Sequence, residues 1–300
     1  MALDLKPGGR YLDATFGRGG HTAAILAHLG EEGRVLALDR DPQAIQAGAR
    51  RFAAESRLTL VHSAFAGMTE CARAAGFVTD SRQGFDGVLF DLGVSSPQLD
   101  DPNRGFSFMH EGPLDMRMDN SSGQTAAAWL AKASESEIAR VVREYGEERH
   151  ARRVARAIVE ARSREPIART AQLAQIVAAA IPGREPGKHP ATRTFQALRI
   201  QVNGEFAEIH SALQQALELL VSEGRLCVIS FHSLEDAIVK QFMQQHSQDD
   251  PVYAGLPEVP PHARAKLKKI GRTTHPSAAE VQANARARSA LMRVAEKAAA

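Results

Sequence analysis

Cysteine is nearly missing from this chain: Cys71 and Cys227 are the 2 among 300 residues, and neither has a CxxC partner or a histidine at metal-ligand spacing. That pattern excludes a disulfide framework and a structural zinc site; no metal is expected, and a reducing, cytoplasmic compartment is. Long apolar runs are missing too. No uninterrupted stretch approaches the roughly 20 residues that cross a bilayer, so no membrane partner is expected. The opening segment, Met1-Ala-Leu-Asp-Leu-Lys-Pro-Gly-Gly9, has an early acid and a Pro-Gly-Gly turn where a signal peptide would carry its apolar segment. An excess of one charge is lacking as well: 37 Lys and Arg against 35 Asp and Glu leave +2, and bulk electrostatics does not announce a nucleic-acid binder.

What is present is ordinary globular composition, 44% hydrophobic and 24% charged, in a chain long enough for one large domain or two modest ones. The charge is unevenly spread. Between Arg140 and Arg169 stand 9 Arg against 5 Glu, and a second basic run, Arg264-Ala-Lys266-Leu-Lys268-Lys269, lies near the C-terminus. Such patches neutralise phosphates even in a nearly neutral chain, although solvated element faces give the same pattern.

Along the first hundred residues short apolar runs alternate with helix-like segments. Arg10–Thr15, Arg34–Asp39, Leu58–His62 and Phe85–Asp91 read as strands; a helix begins near His21, and another has Asp41 as N-cap and Pro42 at its first position. That alternation predicts parallel βαβ units, an α/β doubly wound sheet. From Phe106 to Arg199 no strand signal appears. Helices are predicted over Thr125–Ala133, Glu135–Tyr145, Arg149–Ser163 and Thr170–Ala180. In the third, Val154, Ile158 and Ala161 share one side and Arg149, Arg152, Arg153 and Arg156 the other. Pro182–Pro190 reads as a loop. Ile200–Val221 reads as one long helix, Gly224–Phe231 as a fifth strand, a helix follows over Ala237–Gln244, and Lys266–Arg272 and Arg288–Val294 as an antiparallel pair closing the sheet. The predicted organisation is a sheet domain in two parts, 1–105 and 200–300, interrupted by an all-helical insertion, 106–199.

Three constellations carry chemistry. Asp13-Ala-Thr-Phe-Gly17-Arg-Gly19-Gly20-His21 lies between a strand and a helix, where glycines let the backbone approach a ligand. Asp39, 22 residues after Gly17, ends the next strand, where an acid accepts both hydroxyls of a ribose. The run is G-x-G-G rather than the G-x-G-x-x-G of dinucleotide enzymes, and Asp13 is positioned to take the ammonium of S-adenosylmethionine or to order the loop. The second constellation, Asp91-Leu-Gly-Val-Ser95-Ser96-Pro-Gln98, ends the fourth strand, at the crevice where open sheets bind ligands. The third is Ser230-Phe-His232-Ser-Leu-Glu235-Asp236. There His232 is a base, a pocket wall or a helix cap, and the two acids complement the helix that follows.

These segments, with Arg104-Gly-Phe106-Ser-Phe108, Leu114-Asp-Met-Arg-Met-Asp119 and Thr192-Arg-Thr-Phe-Gln-Ala-Leu-Arg-Ile200, resemble the RsmH/MraW family of bacterial 16S rRNA (cytosine-N4)-methyltransferases. The similarity runs through nearly the whole chain in the family's order. It implies a class I (Rossmann-like) methyltransferase sheet with a helical insertion, S-adenosyl-L-methionine as cofactor, and 16S rRNA of the small ribosomal subunit as partner of a monomer or homodimer. It also implies cofactor contacts at Gly19, Gly20, His21, Asp39, Phe65, Asp91 and Gln98. The pattern departs at two points. Family members usually open with a further segment containing His-x-Pro-Val-Leu and a helix, and position 204 is Gly where members often carry an acid.

Cytosine N4 is a poor nucleophile, so the expected chemistry is in-line placement plus oriented acceptors: Asp91, Ser95 and Ser96, with His232 as a candidate base. Phe106, Phe108 and Phe231 are candidates to stack an unstacked base, and the four arginines of the stripe to grip phosphates. Three other readings compete. A DNA amino-methyltransferase would carry an aromatic after its Pro-Pro motif, which is missing here; a nicotinamide oxidoreductase would need the other glycine spacing; a non-catalytic ribosome-assembly factor would not need an intact cofactor loop.

Overall fold

The computed structural model describes residues 2–79, 84–183, 187, 189–253 and 258–299. Residues 184–186 and 188 of the predicted 182–190 loop therefore lie outside the described residues. In chain order the elements begin with β1 (Arg10–Asp13), α1 (Gly20–Leu26), β2 (Arg34–Asp39), α2 (Pro42–Arg51), β3 (Leu58–His62), α3 (Met68–Ala74) and β4 (Phe85–Asp91). Next come α4 (Ser96–Asp100), α5 (Ala126–Lys132), α6 (Glu135–Glu144), α7 (Ala151–Arg164), α8 (Thr170–Ala180) and α9 (Thr192–Asn203). The chain closes with α10 (Glu205–Leu219), β5 (Leu220–Ser230), α11 (Ser233–His246), β6 (Leu267–Lys269), α12 (Ala278–Ala283) and β7 (Leu291–Lys297). No helix among the described residues is long and apolar enough to cross a membrane.

Two compact units result: Met1–Gly93 with Phe206–Ala300, and Val94–Glu205. The second is wider at both ends than the predicted insertion over 106–199.

The first unit is built on a seven-stranded sheet in the order β3-β2-β1-β4-β5-β7-β6. The first five strands in sequence pair in parallel, and β7 runs antiparallel to both β5 and β6. Leu12, Leu36, Val88, Phe90, Leu226 and Val228 belong to one apolar cluster, whereas Tyr11, Val35, Leu89 and Cys227 belong to another. Neighbouring residues point to opposite faces of a strand, so the sheet is buried on both sides, as continuous apolar runs require. Because β1 lies between β2 and β4, the strand order reverses there, and the carboxyl ends of β1 and β4 bound the switch-point crevice. Local signals set the helices. Asp41 accepts the Gln43 N–H at 2.9 Å, Pro42 opens α2, and Arg50 and Arg51 stand at the negative end of its dipole.

The second unit packs its helices around Leu114, Met116, Leu130, Ile138, Val154, Ile158, Leu173, Val177 and Leu198. Ser134 and Glu137 form the capping box that starts α6. On α7 the buried face is Ala151, Val154, Ala155 and Ile158.

One predicted element is wrong. The periodicity over Ile200–Val221 continues through a break, and the structure has two helices there and a strand beginning at Leu220. Gly204 caps α9 in the left-handed region, φ 63°. Asn203, the last residue of α9, ties that helix end to a neighbouring segment: its Nδ2 donates to the Met116 carbonyl and its Oδ1 accepts the Met118 N–H, both at 2.8 Å. Glu205 takes a two-pronged pair from Arg199, 2.8 Å on each arm.

Candidate active site

Three carboxylates end three adjacent parallel strands, and the glycine turn is tied to all of them. Asp13 is fully buried, and both of its oxygens are engaged: Oδ1 accepts the Thr15 N–H at 3.2 Å and Oδ2 the Thr22 hydroxyl at 2.7 Å. Asp13 therefore orders the loop, one of its two predicted uses. Burial pushes its carboxyl above the ordinary range, against the pull of Thr22, His21 and the Thr15 amide. Asp39 accepts the Gly17 N–H on Oδ2 at 2.7 Å and the Asp41 N–H on Oδ1 at 2.8 Å. Its carboxyl is pushed up to about 6 by burial, which outweighs those two amide donors. A carboxylate oxygen has two lone pairs, so each oxygen keeps one to accept a ligand hydroxyl.

Asp91 is held through its backbone, whose N–H donates to Thr15 Oγ1 at 2.6 Å, and its side chain remains 33% exposed beside His21 Nε2 at 3.4 Å. The hydrogen bond to Asp91 raises the imidazole's affinity for a proton, offsetting burial. Gly19 shows why the turn demands glycine: its φ is +70°, and a Cβ there would stand 2.7 Å from the rings of Phe16 and Phe52. A Cβ on Gly20 would meet nothing within 4 Å, so the loop leaves open space at that point. Phe65 sits just after β3, half-buried, with its ring edge-on to Phe90 at 5.9 Å. Cys227 is buried beneath, its thiol pushed up to about 12 chiefly by burial, and is no nucleophile at neutral pH.

Gly17, Gly19, Gly20, His21, Asp13, Asp39 and Asp91 thus share one neighbourhood. Thr15 and Thr22, which pin the turn to two of the acids, escaped the sequence reading; their only signal is their spacing from Asp13. The donor set suits a cation-bearing adenosyl compound. Carboxylates complement a sulfonium and an ammonium, whereas a pyrophosphate would be repelled by them.

His232 is placed otherwise than a free base. It is the N-cap of α11, accepting the Glu235 N–H on Nδ1 at 3.4 Å while Nε2 lies 3.1 Å from Glu235 Oε1. Glu235 is fully buried and also accepts the Phe231 N–H at 2.8 Å. Asp236 stands in the first turn of α11, as predicted for an acid that complements the helix start, and in addition receives both arms of Arg293 at 2.7 and 2.8 Å. The signal for a cap was present as His-x-x-Glu, a capping-box spacing.

In the second unit, Ser95 starts α4, and its N–H donates to Gln98 Oε1 at 2.8 Å, so the buried Gln98 serves a capping box. Ser96 is exposed. Phe106 is 7% exposed and belongs to the core, which removes it as a stacking platform. Phe108 is half-buried against His189 at 4.5 Å and Phe195 at 4.9 Å. Arg149, Arg152, Arg153 and Arg156 are all exposed, and no ion pair among the described residues engages them. Arg149 also lines a cavity of about 440 Å³ with Arg193, His150, His189 and the buried Glu148.

Comparison with known proteins follows the same lines. The model of the MraW methylase family matches residues 1–298. Ribosomal RNA small subunit methyltransferase H of Dechloromonas aromatica is 54% identical over 300 residues, 99% of this chain and 94% of that protein. The protein of the same name from Alteromonas mediterranea is 52% identical over 298 residues, again 99% and 94%. Among solved structures, an rRNA methylase from Streptococcus thermophilus aligns with a TM-score of 0.41 at 13% identity, covering 98% of this chain and 90% of that one.

Proposed function

The chain belongs to the MraW methylase family, and from that premise we propose that it moves a methyl group from S-adenosylmethionine to the exocyclic N4 amine of a cytidine in small-subunit ribosomal RNA. The observation that carries the proposal is the junction of the glycine turn with two strand-end acids, Gly17 to Asp39 and His21 to Asp91. Asp39 accepts the ribose hydroxyls on the lone pairs left by its amide bonds, and Phe65 flanks the adenine. Gly20 leaves room for the ligand against the loop, and Gly19 lets that loop lie closely on Phe16 and Phe52. When bound, S-adenosylmethionine supplies a methyl on a positively charged sulfur, and the N–C bond forms as the C–S bond breaks.

Asp91 is the acceptor that orients the amine. Holding one N–H along the Asp91 carboxylate keeps the nitrogen lone pair on the methyl and receives the proton the amine must lose. His21, hydrogen-bonded to the same carboxylate, is the exit for that proton. The stripe Arg149, Arg152, Arg153 and Arg156 grips RNA phosphates. Such positioning supplies several kcal/mol of a transfer barrier.

The test is incubation of unmethylated small subunits with labelled S-adenosylmethionine, followed by nucleoside mass spectrometry. The wild-type protein is expected to yield N4-methylcytidine. Asp91→Ala is expected to reduce the rate on the order of 10²-fold or more, the usual size of a lost acid–base contribution. Label on a different nucleoside, or none with intact protein, overturns the proposal.

A further inference from the structure

The basic run over 264–269 plays no part in the site above, yet the fold gives it a definite place. β6 is the outermost strand of the sheet, three places beyond β4, so it lies roughly 14 Å across the sheet at ordinary strand spacing. Lys268 and Lys269 are exposed on it, and from Arg264 to Arg272 the chain carries 5 basic residues and no acid.

Just past the strand, a cleft of about 100 Å³ is lined by the cations Lys240 of α11, Lys269, Arg272 and Arg293 of β7 together with the apolar Met243, Ile270 and Val294. The one acid among its immediate partners, Asp236, is already claimed by Arg293 through two hydrogen bonds, which fix that guanidinium in place. No ion pair among the described residues engages Lys240, Lys269 or Arg272. Three uncompensated cations and one immobilised guanidinium thus surround a space far below the roughly 300 Å³ of a small-molecule pocket. A space of that size fits one compact group.

We propose that this cleft binds a backbone phosphate of the RNA substrate, a second grip in the sheet unit that is separate from the arginine stripe of α7. The proposal rests on the reading of the protein as an RNA methyltransferase. RNA is favoured over an acidic protein because the apolar residues of the cleft offer no exposed anchor: Met243 is buried, Ile270 and Val294 are partly buried, and the exposed large hydrophobics among the described residues, Met109 and Val252, do not line it. Protein interfaces are organised around such anchors. Lysines on an edge strand also discourage sheet-to-sheet pairing, but that use does not call for Lys240 on a helix or Arg272 beyond the strand.

The experiment compares wild type with the triple variant Lys240→Ala, Lys269→Ala, Arg272→Ala in the full chain. Labelled, protein-free small-subunit rRNA transcript is titrated over a range of salt concentrations, with melting temperature as the control for folding. Each lost phosphate contact lowers the slope of log affinity against log salt by nearly one, so losing the single phosphate held here is expected to reduce the slope by about one, with affinity at low salt down tenfold or more. With assembled small subunits, KM is expected to rise while kcat holds. Unchanged RNA affinity and slope in the variant overturn the proposal, as does a loss seen with assembled subunits but not with bare RNA, which would assign the cleft to a protein. Failure of the wild type to methylate while its RNA binding still depends on these residues would instead sink the reading in the preceding section and leave the cleft standing.

Discussion

At Asp39 two opposing effects meet on one carboxyl. Burial lifts it to about 6, although the Gly17 and Asp41 amides favour its ionised form. A carboxyl whose folded pKa exceeds its unfolded one stabilises the fold while protonated, below about pH 4, and that contribution is lost as pH rises through about 6. In its proposed role Asp39 gives ligand binding the reverse dependence, since accepting two ribose hydroxyls needs the ionised form. S-Adenosylmethionine affinity, read by calorimetry, is therefore expected to hold above neutrality and to fall by up to about tenfold per unit as pH drops below 6. Asp39→Ala is expected to cost about 1.5–3 kcal/mol of binding, the range for hydrogen bonds to a charged group, and to remove the pH dependence. An affinity flat from neutrality down to pH 5 would exclude Asp39 as the acceptor. The residues that hold this acid were partly legible. Position at a strand end, 22 residues past the glycine, identified Asp39; the Gly17 amide as its partner emerged only in three dimensions.

Among the elements, α9 and α10 show how local periodicity misleads. Apolar spacing runs on through residue 204, and a hydrophobic pattern carries no record of where the backbone turns left-handed. Gly204 makes the break, with room around it but a φ of 63°. Gly204→Ala is expected to lower stability by about 1–2 kcal/mol, the cost of a left-handed L-residue, and Gly204→Asn to cost less. Thermal denaturation checks both, and an alanine variant as stable as wild type would mean that the break is not set by this residue. The capping boxes at Ser95–Gln98 and His232–Glu235 teach the converse. Their spacing was visible, but side chains able to act chemically are also those that cap helices best, and only coordinates reveal which use they have.

Across the whole molecule, the seven-stranded sheet unit and the helical unit each carry part of the proposed machinery. Asp39, His21 and Asp91 belong to the first unit, and the exposed arginines on α7 and just before it to the second. Replacing Arg149, Arg152, Arg153 and Arg156 with alanine is therefore expected to reduce the salt dependence of RNA binding by about 3 to 4 in slope and to leave S-adenosylmethionine affinity unchanged. Unaltered RNA binding would remove the stripe from the substrate surface.

The sequence by itself determined the parallel strands, the helical segment between them and the acids that end β2 and β4. Each of these is written in short-range periodicity, and burial on both faces of a sheet leaves few other arrangements for such runs. Tertiary structure alone decided the pairs that span long separations: Asp91 with Thr15, 76 residues apart, and Arg293 with Asp236, 57 apart. Those bonds depend on which strands become neighbours, and strand order is a property of the packed sheet that local pattern does not contain.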